Sequence, residues 1–184
     1  MKLNYLSKAV FGLFTLLSLS SNAQKNYGST LNLGLGVGGN YGYYNYVGSS
    51  FPLLHVDYEF DVAKNLTVAP LVNFYSFSRP YKWSSKNYYY RESAVQLGGK
   101  ATYYFDELLE AGSKWDFYLA GSLGFTFVKG VWDDGYGGNT GIYTRSSPLY
   151  LDLHIGSEYH FNSKVGMFLD LSTGVNTIGV AIHK

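Results

Sequence analysis

The chain has no cysteine, and only four prolines and two methionines among its 184 residues. Without cysteine it can form no disulfide framework, no thiolate metal site and no cysteine nucleophile. It also lacks a surplus of either charge, with 14 Lys+Arg against 13 Asp+Glu. No basic excess is available to meet phosphates, which argues against nucleic acid as a partner. Beyond the first two dozen residues, no apolar run reaches the roughly 18 residues that a membrane helix needs.

The amino-terminal stretch MKLNYLSKAVFGLFTLLSLSSNAQ is the exception. Lys2 and Lys8 supply a positive region, Ala9 to Leu19 an apolar core, and Ser21-Asn22-Ala23 small residues at the −3 and −1 positions. This is the layout of a secretory signal, expected to be cut after Ala23. It predicts a signal peptide over 1–23 and a single exported domain over 24–184. Removing Lys2 and Lys8 leaves 12 Lys+Arg against 13 Asp+Glu, a net charge of about −1. An exported chain is free to use disulfides, so this one must be held together by other means.

What the chain has in quantity is 19 Tyr, 12 Phe and 22 Gly. Aromatic- and glycine-rich sequence with period-two alternation predicts antiparallel β structure. Eight strands are expected, at 29–40, 53–62, 66–77, 90–105, 114–128, 149–161, 164–173 and 176–183. Pro70 weakens the third, because a proline inside a strand calls for an edge or a bulge. The connectors at 41–52, 78–89 and 129–147 read as long polar loops. Those at 63–65, 162–163 and near Gly174 read as tight, and DELLEAGS at 106–113 as at most a helical turn.

The stretch PLYLDLHIGSEYHF, Pro148 to Phe161, poses the question of which face is inside. Leu149, Leu151, Leu153, Ile155, Tyr159 and Phe161 alternate with Tyr150, Asp152, His154, Glu158 and His160, so one face is oily and the other charged. The aromatics suggest an answer. Tyr103, Phe105, Trp115, Phe117, Tyr159 and Phe161 all fall on apolar faces at the short-turn end. Rings gathered at one height are expected of a girdle at a lipid–water boundary. The oily face is therefore expected to point outward into lipid. The polar face would line a closed barrel, and closure removes the unpaired strand edges.

Leu97 to Phe125, LGGKATYYFDELLEAGSKWDFYLAGSLGF, resembles the small outer-membrane β-barrel domain family of Gram-negative envelopes. The resembling features are Tyr103-Tyr104-Phe105, the turn Asp106-Glu107-Leu108-Leu109, and the Y-x-x-G-x-x-G run of Tyr118, Gly121 and Gly124. The resemblance implies an eight-stranded antiparallel up-and-down transmembrane β-barrel of OmpX/OmpA type in the outer membrane. It attaches no particular activity. Such barrels usually end in an aromatic residue read by the assembly machinery, whereas this sequence ends VAIHK.

By parity, the lumen is expected to hold a polar network of His55, Asp57, Glu59, Lys100, Asp152, His154, Glu158 and Asp170. Pairing strands six and seven about Asn162-Ser163 sets Asp170 opposite Gly156, diagonal to His154 and Glu158. No serine sits in a recognisable nucleophile context, and no catalytic residue, cofactor or metal site is assigned. Gly34-Leu-Gly36-Val-Gly38-Gly39 matches G-x-G-x-x-G in form, but alternates within a strand with no helix after it. Inward glycines that relieve crowding are the better account. Asp133, Asp134 and Asn139 make the third long loop oxygen-rich, without EF-hand spacing.

Tyr43, Tyr44, Tyr81, Trp83 and Tyr89 are candidate loop contacts, since Tyr and Trp give contact area at low entropy cost. The expected role is structural or adhesive, in a monomer whose partners are outer-membrane lipid, the assembly machinery and a surface ligand. Two alternatives are a narrow channel dependent on Asp57, Glu59 and Asp170, and a secreted soluble barrel with an oily cavity.

Overall fold

The computed structural model describes Tyr27 and residues 29–38, 50–138, 140 and 149–184. The expected signal segment and the candidate contacts Tyr43 and Tyr44 lie outside the described residues. Eight strands follow in chain order: β1 (Thr30–Gly38), β2 (Ser50–Ala63), β3 (Leu66–Trp83), β4 (Lys86–Tyr104), β5 (Trp115–Trp132), β6 (Leu149–His160), β7 (Val165–Ser172) and β8 (Val175–His183). Each pairs antiparallel with its neighbours in sequence, and β8 pairs with β1 to close an up-and-down barrel. The DELL segment forms a 3₁₀ turn, Asp106–Leu109, between β4 and β5.

The alternation sorts the side chains as the sequence suggests. Leu149, Leu151, Leu153 and Ile155 face outward with 54–69% exposure, and Leu119, Leu123, Phe125 and Phe127 continue the apolar surface on β5. Asp57, Glu59, Lys100, Asp116, Glu158 and Asp170 face inward and are buried. At the short-turn end Phe117 stacks on Trp115, Trp115 meets Tyr159, and Tyr159 meets Phe161, making a continuous strip of outward rings. Tyr103 and Phe105 line a surface hollow with Leu108 at the same end.

One expected loop is a hairpin. Residues 78–89 do not leave the barrel as an irregular segment: β3 and β4 stay paired from Leu66–Tyr103 to Trp83–Lys86. The turn is only Ser84-Ser85, with φ of 48° and 66°. Both central residues are left-handed, the geometry whose twist suits two-residue hairpins. β5 also runs on to Trp132 beside this extension, pairing Trp132 with Tyr90. Pro70 does not break β3. It stands opposite Gly99 of β4, while the ladder to β2 runs through Asp57–Leu71 and Phe60–Val68 on either side.

Small residues set how closely the inward side chains nest. Gly34 of β1 lies opposite Gly179 of β8, and the Phe168 ring covers both. Gly98 and Gly124 form a second facing pair under Tyr150. A Cβ at Gly179 would overlap the Leu33 carbonyl oxygen, which is backbone and cannot swing aside. Gly179→Ala is therefore expected to cost about 1–3 kcal/mol by overpacking, read as a lower urea midpoint at unchanged slope. Gly121→Ala is the contrast, since the nearest atom to its Cβ would be 3.9 Å away. It should stay within about 0.5 kcal/mol of the parent.

Candidate functional site in the lumen

The barrel interior has three tiers. Toward the long-loop end Leu53, Tyr75, Phe77, Ala94 and Val175 form an apolar plug. Toward the short-turn end Tyr27 stacks on Tyr104 at 4.0 Å, and Tyr118 and Ala120 complete a second cluster. Between them lies the charged layer.

Its centre is Lys100. The Nζ is 2.7 Å from Asp57 and 3.8 Å from both Glu59 and Asp170. Ala69, opposite Lys100 on β3, is small enough to leave the long side chain room to cross. Asn32 donates to Asp57 at 2.7 Å and to Glu59 at 3.0 Å. Glu59 also accepts from Thr67 and from the Tyr104 hydroxyl. His55 bridges Asp57 at 2.9 Å and Asn73 at 2.7 Å, and Asn73 Nδ2 donates on to Gln96. Buried charges need this density of partners, because burial without them costs several kcal/mol each.

On the opposite wall Asp170 accepts from Tyr118 at 3.1 Å and meets His154 Nδ1 at 2.7 Å. His154 Nε2 lies 2.9 Å from Ser122 Oγ. The register expected for β6 and β7 holds, with Gly156 opposite Asp170 and His154 opposite Ser172. The serine that reaches His154 is Ser122 of β5, however. Ser122, His154 and Asp170 stand in the order of nucleophile, base and orienting acid. Ser122 is only 2% exposed, on a strand inside a filled lumen. An acyl carbonyl has no approach to it, and the chain of contacts reads as part of the interior network.

Of the eight expected lumen residues, His55, Asp57, Glu59, Lys100, His154 and Asp170 meet in this layer. Asp152 sits toward the long-loop rim, 3.4 Å from Thr173 Oγ1. Glu158 sits at the short-turn mouth with His160 and His183. Sequence reading did not single out Ser122, Tyr104, Tyr118 or His183 as site residues. Parity alone places each of them inward, so the signal was present for side but not for height.

The extended hairpin carries the other cluster. Tyr136 lies 5.8, 5.7 and 5.4 Å from Tyr81, Trp83 and Tyr88, and stacks on Trp132 at 4.0 Å. Tyr81, Trp83, Tyr88 and Trp132 have inward parity, and Tyr136, beyond the end of β5, packs among them. Tyr89 points the other way and is exposed. Asp133 accepts from Arg91 at 2.7 Å and from the Tyr89 amide at 2.9 Å. Those two donors hold its carboxyl below the usual carboxylate range. One donor meets each of its two oxygens. Asn139 lies outside the described residues.

No family model matches the chain, and no curated protein matches it significantly.

Proposed function

We propose that the chain is an integral outer-membrane barrel of the OmpX/OmpA type, a closed scaffold that holds an aromatic hairpin above the membrane for surface contact. The observation that carries this reading is a continuous apolar exterior around a lumen filled with paired charges. In water, exposed apolar area on that scale would be an aggregation surface; in lipid it is the solvated face. A soluble barrel with an oily cavity would need the opposite arrangement. A channel would need the Lys100 pairs and both plugs opened, so conduction is the weaker reading.

Above Phe74, Val95 and Phe127, the next outward positions are polar, at Ser76, Ser93 and Lys129, with Tyr89 and Val131 as large exposed apolar exceptions beyond them. The strands beyond that level lift the Tyr81–Trp83–Tyr136 cluster about 25 Å along β3, at ~3.3 Å per residue. The role supported is structural and adhesive, in a monomer exported through its cleaved signal and inserted by the assembly machinery.

The absence of native cysteine permits a direct test. Ser84→Cys at the hairpin tip should react with a membrane-impermeant maleimide on intact Gram-negative cells. Ser163→Cys, in the turn at the other end, should react only after the envelope is opened. The purified protein should run with heat-dependent mobility and give no conductance steps in planar bilayers. Recovery in the soluble periplasm, equal labelling of both sites, or steady conductance would each defeat the proposal.

A further inference from the structure

Glu158 and His160 are two residues apart on β6, so both point inward at the short-turn mouth, where His183 of β8 reaches them across β7. The Glu158 carboxylate Oε1 lies 2.7 Å from His183 Nε2 and 3.6 Å from His160 Nδ1. One atom from each of the three residues falls within 4.8 Å of the others.

The far ring nitrogens hold the two imidazoles in orientation. Thr30 Oγ1 donates its single hydrogen to the Tyr27 carbonyl at 2.9 Å. Its contact with His183 Nδ1 at 2.8 Å must then be one in which Thr30 accepts. With Nδ1 so engaged, Nε2 is the nitrogen that meets Glu158 Oε1 at 2.7 Å. His160 Nε2 lies 2.7 Å from Asp116 Oδ2, an ionised acceptor, so it donates there and Nδ1 is the nitrogen turned toward Glu158. Glu158 Oε1, His160 Nδ1 and His183 Nε2 thus converge on one point, where either a hydrogen or a metal ion can bridge them.

Two features mark the point as a built site. Each histidine is oriented through its far nitrogen by a hydroxyl or carboxylate, the outer-shell arrangement that metal-ligating imidazoles use. Gly166 of β7, opposite His160, makes room for the carboxylate itself, since a Cβ there would overlap Glu158 Oε1. The side chains of His160 and His183 remain 19% and 15% exposed, so an ion can enter from the mouth.

We propose that Glu158, His160 and His183 form a binding site for a divalent transition metal of the zinc class, bridging β6 to β8 across the narrow strand β7. Two imidazoles and a carboxylate with an open fourth position suit Zn²⁺, and they disfavour Ca²⁺ and Mg²⁺, which take oxygen ligands. The ion replaces the hydrogen that otherwise bridges Glu158 and His183, and Asp116 and Thr30 act as positioning residues. The site belongs to the barrel interior and does not depend on what surrounds the exterior.

The test is titration of chelator-treated, refolded barrel with Zn²⁺ by calorimetry and with Co²⁺ by visible absorption. One equivalent should bind, with the d–d bands of nitrogen-ligated, low-coordinate cobalt. His160→Gln and His183→Gln should each weaken binding at least about 100-fold, and Asp116→Asn about 10–100-fold. His154→Gln, in the separate Asp170 chain, should leave it unchanged. Failure of the parent protein to bind at ~100 µM metal would overturn the proposal, as would a cobalt spectrum no different from the aqua ion or binding that survives both histidine substitutions. If a variant does not fold, the cobalt spectrum of the parent decides the question alone.

Discussion

Leu153→Arg should destabilise the folded barrel by about 2–4 kcal/mol in lipid vesicles, the cost of a cation on the lipid face near the midplane. Leu153 is 64% exposed on β6, several residues above the Tyr159–Phe161 strip. It packs little against its own chain, so the loss comes from solvent rather than from a cavity. The same substitution on a water-facing strand would fall within about 0.5 kcal/mol. Reversible urea unfolding in vesicles separates the two outcomes. A large loss identifies the exterior as lipid-solvated, and a negligible one would remove the main support for membrane insertion. Gln at the same position should cost less than Arg, because it carries no charge.

Lys100→Met carries the second large effect, and it acts on the inside. Lys100 is 5% exposed and is the cation facing Asp57, Glu59 and Asp170. Met keeps most of the side-chain length, so packing survives while the charge is lost. Three carboxylates are then left facing one another in a sealed interior. Removing one partner of a buried ion pair costs about 3–5 kcal/mol, which should appear as a lower urea midpoint and a lower temperature for the mobility shift. Adding Asp57→Asn to Lys100→Met should recover part of the loss, since one stranded carboxylate is neutralised. Asp57→Asn alone should be milder than Lys100→Met, because Glu59 and Asp170 still face the lysine. A Lys100→Met protein as stable as the parent would mean that water already reaches this layer, and would revive the narrow-channel reading.

How much of this was legible in the sequence depends on what each feature rests on. The faces of β6 could be read from PLYLDLHIGSEYHF, because side-chain period is a local property of a strand. The β6–β7 register followed from a short turn, and the Asp170–His154 contact came with it. The hairpin at 78–89 was not legible. Tyr81, Lys82, Trp83 and Ser84 have the composition of a loop, and the ladder that orders them depends on a partner strand equally polar in appearance. The lumen network was legible by side only. Which inward residues meet depends on the stagger of strands around the barrel, and this brings Lys100 of β4 to both Asp57 of β2 and Asp170 of β7. His183 needed the most information, since its place follows from the closing pair of β8 with β1. No local pattern announces that pairing.

The unequal strands give the molecule a front and a back. Among the described residues, β3, β4 and β5 run 18, 19 and 18 residues, whereas β7, β8 and β1 run 8, 9 and 9. Among those residues, the tall side turns its inward rings toward the barrel axis, like a hood. The outer face of the tall side carries Lys82, Tyr89 and Arg91 instead. In the membrane setting proposed above, neighbours in the same surface would sense how the cylinder is turned about its own axis, a compass heading that an evenly cut tube would not possess.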